Sequence, residues 1–486
     1  MKRLMLAVLM TLAFGSPMAA PQTNDAETGP IASASAQHRV RVGGANIRYR
    51  VSWAETVLRD AAGEPQATIS ATTYERLGVA DLARRPVIFA FNGGPGASSS
   101  PLHFELLGPR RIDGEGAARV VVDNGDTPLD AADLVLIDPV GTGFSREMRP
   151  GGGQAYWSVT GDAAATQELI RTWIASHNRQ DSPIFVIGES YGGFRAALVV
   201  AGLTDLNLAG VVLVSPALDF TAGGDQSFVF DFPTMAATAY SHGRVPQEGR
   251  TVQQVYEEAR AFAQTELVAA LQSGDLLTTT ERDRLAAHMS ALIGVPAEFI
   301  ADANLRVGSQ EFLERLLEGR VVGRVDTRVS APKPDGALVP GRVRQADDPA
   351  LGLGRSNVIR NPIAGDYFRR EVGVQTERDY FGLTLDVNFA FNWNSGEPSL
   401  GRNISFYDAG PKLAAFMSAR PQSRLLLLSG YYDLATPLLS QTYALAHAGL
   451  PRERVATHAF AAGHTPFDDA SRDDVAAVIR NFVTAR

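Results

Sequence analysis

Residues 183–194 read Ser-Pro-Ile-Phe-Val-Ile-Gly-Glu-Ser-Tyr-Gly-Gly. A short apolar run enters Gly188-Glu189-Ser190-Tyr191-Gly192, and an alanine-rich stretch follows at residues 194–201. Gly-x-Ser-x-Gly between a strand and a helix is a nucleophile elbow, a turn so sharp that the serine Oγ stands clear of it. Glycines flank the serine because backbone segments meet there too closely for a Cβ. The feature demands a strand–turn–helix unit. It also makes Ser190 the candidate nucleophile of an acyl transfer.

The chain around the elbow repeats the same alternation. Solid apolar runs at residues 86–91, 134–137, 184–187, 210–214 and 425–428 fit strands buried on both faces. Helical spacing lies between them, as in Leu169, Ile170, Trp173 and Ile174, and again at 437–448 and 468–485. Strands alternating with helices predict an α/β protein, a mostly parallel sheet covered on both sides. Residues 40–53 and 67–74 alternate apolar and polar instead, which predicts antiparallel strands.

The alternation stops between 219 and 394. Val252, Val255, Tyr256, Ala259 and Phe262 form one apolar helical stripe, and Leu313, Leu316 and Leu317 suggest another. Thr280 before Glu281 resembles a helix cap. Residues 328–361, rich in Pro, Gly, Asp and Arg, read as a long loop. The expected organisation is a hydrolase domain in two parts, 38–218 and 395–486, with a cap inserted at 219–394.

The first twenty residues differ from the rest. Lys2 and Arg3 precede an apolar stretch over residues 4–14, then Gly, Ser, Pro and small residues to Ala20. This is the layout of a secretory signal peptide, too short to span a bilayer. Cleavage is expected at Ala20 or in the alanine/serine run 32–36, and 21–37 reads as a disordered tether. Removing residues 1–20 takes away two cations and no acid, so the formal charge of −8 becomes −10. Such an acidic, periplasmic or secreted protein is poorly suited to nucleic acid or anionic lipid. The 486 residues contain no cysteine, which excludes disulfides and thiolate catalysis; a core of this size needs no such staples.

A serine nucleophile needs a base, a group to orient it, and donors for the oxyanion. Of the eight histidines, His464 lies in Ala462-Gly463-His464-Thr465-Pro466, a loop after a strand-like run and before the last helix. It occupies the place that the chain order Ser…Asp…His requires. His458, inside the strand, reads as a satisfied structural histidine. Asp433 ends the run 425–428 and is the candidate orienting acid. As a bland alternative, it caps the helix opened by Thr436-Pro437. Asp138 competes as the acid but precedes the serine, so it reads as structural. Asn92-Gly93-Gly94-Pro95-Gly96, following the run 87–91, offers backbone N–H groups to an oxyanion. No Gly-Lys-Ser/Thr follows it, which removes a phosphate-loop reading.

These motifs, with Leu107-Gly108-Pro109 and Ile137-Asp138-Pro139-Val140-Gly141-Thr142-Gly143-Phe144-Ser145 between them, resemble in order the serine carboxypeptidase family (peptidase family S10). The likeness is greatest to its bacterial secreted branch and covers about residues 86–216 and 423–470. It implies an α/β-hydrolase fold and removal of residues from peptides with a free C-terminal carboxylate, without metal or organic cofactor. By the same resemblance Ser190, Asp433 and His464 are the triad, and the N–H groups of Gly94 and Tyr191 form the oxyanion hole. Asn92 and Glu189 match the pair that binds the substrate's terminal carboxylate.

A buried Glu189 facing a carboxylate should be driven toward its neutral, hydrogen-bond-donating form, favouring substrate binding at mildly acidic pH. Three departures stand out. The further glutamate that eukaryotic members have immediately before Leu-Gly-Pro is Leu106 here, with Glu105 one residue earlier and unassigned. The cysteine after Gly-Gly-Pro-Gly is Ala97, and the residue after the histidine is Thr465. An esterase or acyltransferase with the same triad is the chief rival, since one scaffold supports all three chemistries. An endopeptidase and a catalytically dead binding protein are the others.

Overall fold

The computed structural model describes residues 29–485, except 115, 221–222, 334–347, 352–355 and 394–407. The expected leader and residues 21–28 of the tether lie outside these.

The described residues build one nine-stranded sheet. Its strands are β1 (Ala34–Val42), β2 (Ala45–Arg59), β3 (Pro65–Arg76), β4 (Val87–Phe91), β5 (Asp133–Asp138), β6 (Ile184–Glu189), β7 (Leu208–Val214), β8 (Arg424–Gly430) and β9 (Val455–Phe460). The spatial order is β1-β2-β3-β5-β4-β6-β7-β8-β9. The first three strands are antiparallel and β3 meets β5 antiparallel; from β5 to β9 all neighbours are parallel. The solid apolar runs are these parallel strands, and β4, β5 and β6 are buried along their whole length.

Helices cover both faces. On one lie α1 (Val159–Ser176), α2 (Tyr191–Gly202), α6 (Gly410–Ala419) and α7 (Leu438–His447). On the other lie a π-helical turn, Leu102–Leu107, and α8 (Arg472–Thr484). Alternate strand residues feed the two cores: Phe89, Val135 and Val186 one, Ile88, Leu134 and Ile187 the other. This is the expected α/β architecture.

The antiparallel strands expected at 40–53 are present, with the chain turned between them at Gly43-Gly44, whose φ values are 55° and 85°. Several local expectations are corrected. Ala34–Gln37, read as the end of a tether, pair with β2, because cross-strand backbone bonds hold a segment whose composition alone looks disordered. The helix expected to be capped by Thr280 is capped by Thr278, with Glu281 completing a capping box.

The segment between β7 and β8 divides in two. Its first half forms α3 (Asp225–Ser241), α4 (Val252–Phe262), α5 (Thr279–Ile293) and shorter helices around a separate core that includes Phe232, Met235, Phe262, Met289 and Phe312. Leu434 and Leu439 of the hydrolase part join that core. The second half returns to the main sheet, burying Tyr367, Phe368 and Tyr380 against it. The long loop expected at 328–361 carries short strands at its ends. Ser330–Pro332 pairs with Arg320–Val322, and Val358–Arg360 with Phe381–Thr384.

Candidate active site

Ser190 stands between β6 and α2 with φ 59° and ψ −127°, a conformation that non-glycine residues rarely adopt. Surrounding bonds hold it there. Ser190 donates its N–H to Val214 O at 2.9 Å, and its carbonyl accepts from Gly193 at 2.9 Å and Ala217 at 3.0 Å. A Cβ on Gly188 would lie 2.0 Å from Gly192 O, so the first glycine of the motif is a steric requirement. Tyr191 opens α2, where N–H groups point past the helix end rather than into it.

Asp433 lies beyond the end of β8 and is fully buried. Its two oxygens divide the work. Oδ1 accepts from the N–H groups of Ala435 (2.8 Å) and Thr436 (3.0 Å), the helix-entry role of the bland alternative. Oδ2 lies 2.8 Å from His464 Nδ1 and 2.6 Å from Thr436 Oγ1. Burial pulls the His464 pKa down, but the charge and hydrogen bond of Asp433, with the charge of Glu189, leave it raised above the ordinary value. Ser190 Oγ makes no hydrogen bond to His464; in sites of this kind that bond often tightens only in the Michaelis complex. What joins the base loop to the elbow is Thr465, whose hydroxyl donates to Glu189 Oε1 at 3.0 Å.

Glu189 is buried, and its Oε2 has no hydrogen-bond partner. Burial raises its pKa to about 7; His464 and Thr465 pull it down, while Glu105 and Asp433 push it up. Asn92 is buried beside the elbow, with Oδ1 accepting from Leu102 N–H at 3.2 Å and its carbonyl from Arg195 at 2.6 Å. Gly93 is pressed against the elbow: a Cβ there would lie 2.5 Å from both Tyr191 N and Gly192 N. Gly94 follows at φ 96°, and its N–H has no acceptor among the described residues.

Asp138 is structural, as expected from its order in the chain. It accepts from Ser99 N–H (2.8 Å), Ser99 Oγ (2.7 Å) and Tyr380 OH (2.8 Å). His458 is not a satisfied core histidine; it is exposed on β9, the edge strand.

Glu105 is the residue that sequence reasoning left out. The π-turn Leu102–Leu107 fits one more residue into its turn than an α-turn does. Glu105 sits in that turn, within the electrostatic reach of Glu189. Burial raises its own pKa to about 7 against the pull of Arg119 and Arg472, with Asp469 adding to the rise. The available signal was an acid inside a six-residue run that is otherwise apolar but for His103.

A mostly parallel sheet that presents a serine elbow from its middle, and an acid and a base beyond its last two strands, follows the plan of an α/β-hydrolase. Within that class the chain is similar to the serine carboxypeptidase family, whose family model matches residues 79–275. It is 28% identical over 174 residues to serine carboxypeptidase-like 36 of Arabidopsis thaliana, covering 34% of this chain and 33% of the relative. To serine carboxypeptidase-like 51 of the same plant it is 33% identical over 142 residues, covering 26% and 29%. The chain thus matches about a third of the length of these curated relatives. Its fold is similar to that of Kex1(Δ)p, a prohormone-processing carboxypeptidase from Saccharomyces cerevisiae. The TM-score is 0.50 and the identity 14%, over 96% of this chain and 92% of that one.

Proposed function

We propose that this chain is a serine-type carboxypeptidase acting on peptides with a free C-terminal carboxylate. Ser190 Oγ attacks the last peptide carbonyl as His464 Nε2 takes its proton, and Nδ1–H stays on Asp433. The oxyanion collects N–H bonds from Gly94 and Tyr191. His464 then protonates the leaving amino acid, and a water, deprotonated by the same base, resolves the acyl-enzyme. The sequence of 1–20 supports export, to the periplasm or beyond. No described helix is long and apolar enough to cross a membrane.

The observation that carries the exopeptidase reading is Glu189. A buried carboxyl next to the nucleophile, held neutral to about pH 7 and with one oxygen unpartnered, can donate a hydrogen bond to a terminal carboxylate. An ionised one would repel it. Asn92, beside the elbow, and Glu105, within electrostatic reach of Glu189, would be further polar contacts for the same group.

The test is a free-acid peptide and its C-terminal amide, incubated with the protein from pH 4 to 8 and read by mass. Stepwise loss from the free acid alone is the expected result, and Ser190→Ala abolishes it. Internal cleavage, or ester hydrolysis without peptide cleavage, would sink the proposal.

A further inference from the structure

Residues 323–328 cross between the two loops that carry Asp433 and His464. Leu434 donates its N–H to Arg324 O at 3.0 Å, Thr327 to Tyr432 O at 3.0 Å, and His464 to Val325 O at 2.7 Å. On the other side, Asp348 Oδ2 accepts from the N–H groups of Arg324 (2.9 Å) and Val325 (3.2 Å). The backbone is fixed from both directions.

Most polar side chains leaving this strap are held as well. Arg328 pairs with Asp326 at 2.6 Å and Asp468 at 2.7 Å, and the Thr327 hydroxyl bonds that of Thr238 at 2.7 Å. Arg324 differs. It is half-buried, and among the described residues its guanidinium has no hydrogen bond and no ion pair. It lies within the electrostatic reach of His464, whose protonation it opposes, and of Asp231 on α3.

A guanidinium carries five donors in a fixed fork and loses hydration where it is partly buried. Left without a protein partner on a rigid backbone, it suits a carboxylate supplied from outside, bound by two parallel charge-assisted bonds. His464 has to stand at the scissile bond to do its work. A cation carried by the residue next to His464's main-chain partner therefore reaches the substrate close to that bond.

We propose that Arg324 is a specificity-determining residue that binds an acidic side chain on one of the two substrate residues flanking the scissile bond. The proposal rests on the exopeptidase reading above and adds the substrate class to it.

The test uses the full chain and N-blocked tripeptides carrying Glu, Gln or Lys at the last or the penultimate position. kcat/KM is measured for each from the released amino acid. In the wild type Glu exceeds Gln by about tenfold or more at one of the two positions, a size ordinary for a charge-assisted contact; that position identifies the side that Arg324 serves. In Arg324→Gln the ratio falls to about one, and in Arg324→Glu Lys overtakes Gln. A ratio compares two substrates on the same enzyme, so partial loss of folded protein leaves it unmoved. Equal use of Glu and Gln at both positions by the wild type overturns the proposal, as does a Glu preference that survives both substitutions. Release from the neutral peptide reads the exopeptidase reaction separately. If that is absent while ester versions of the panel are hydrolysed, the exopeptidase reading falls and the ester ratios still decide Arg324.

Discussion

Thr465 Oγ1 donates to Glu189 Oε1 at 3.0 Å, which ties the residue after His464 to the residue before Ser190. This contact leaves Glu189 Oε2 as the unpaired atom of a buried carboxyl whose pKa stands at about 7. In the proposed role Glu189 carries a proton below that pH and donates to an incoming carboxylate; above it, two negative charges would meet. KM for free-acid peptides should therefore rise as pH passes through about 7. Glu189→Gln keeps a donor and removes the titration, so its KM–pH profile should be flat. Ester substrates without a terminal carboxylate should show no such rise in either protein. A wild-type KM that is level from pH 6 to 8 would contradict the assigned role.

The same titration bears on stability, and Glu105 shares it. Both carboxyls have ordinary values of 4.5 and stand at about 7 in the folded chain. Between those values the folded state holds protons that the unfolded state has released. Stability therefore falls as pH rises across this window. The Glu105→Gln/Glu189→Gln double variant should lose part of that fall. Urea midpoints at pH 5 and pH 7.5 test it: the difference between them should be smaller in the double variant than in the wild type.

Asp433 allows its proposed orienting role to be tested apart from support of the fold, because the two main-chain bonds go to Oδ1 while His464 and the Thr436 hydroxyl meet Oδ2. In Asp433→Asn, Oδ1 can still accept from Ala435 and Thr436, while the amide replaces the oxygen facing His464 Nδ1. The imidazole then takes the wrong tautomer. A kcat loss of about 10³–10⁴ is expected, by analogy with the same substitution in the serine protease triad, with little change in Tm. A fall in Tm as large as that of a core variant would assign Asp433 chiefly to structure.

What was legible in the sequence was mostly local. The Ser190 elbow is set within five residues, and Asp433 and His464 are found because each lies in a loop shortly after a strand-like run. Glu105 was not legible because its direction depends on a π-turn, and one added residue in a turn changes which way every later side chain points. Ala34–Gln37 looked like tether because the bonds that make it a strand come from β2. The division of the insertion was hidden for the same reason. Its second half is fixed by contacts such as Tyr380 to Asp138, 242 residues apart, and no periodicity within the segment reports them. The strap that reaches His464 and Leu434 likewise exists only as long-range main-chain bonds.

Arg195 and Asp162 form a buried pair behind the elbow, 2.6 Å apart. Arg195 also donates to Asn92 O at 2.6 Å, and Tyr191 OH donates to Asp162 at 3.1 Å, so the pair links the glycine loop to the elbow helix. Arg195→Met leaves a buried carboxylate unpaired and should cost about 3–5 kcal/mol. Arg195→Met/Asp162→Leu should recover much of that, since an apolar pair of similar volume replaces a buried ion pair at little cost. Turnover should not recover with it, because Asn92 O has still lost its anchor. Denaturant midpoints and kcat/KM for the two variants check both halves. Activity returning together with stability would reduce the pair to a packing element.

Gly93 gives the sharpest test of the oxyanion site, because the obstacle to a side chain there is backbone. A Cβ would lie 2.5 Å from Tyr191 N, 2.5 Å from Gly192 N and 2.8 Å from Glu189 O, and no rotamer change relieves contacts with main-chain atoms. Gly93→Ala must push the glycine loop away from the elbow, taking Gly94 N–H with it. Losing one oxyanion donor costs about 10²–10³ in kcat, so a loss of that order is expected. Gly125→Ala is the control: its Cβ would meet only Arg41 O, at an ordinary 3.4 Å, and turnover should be retained. If Gly93→Ala is folded and as active as that control, the donors that stabilise the oxyanion must come from elsewhere than this loop.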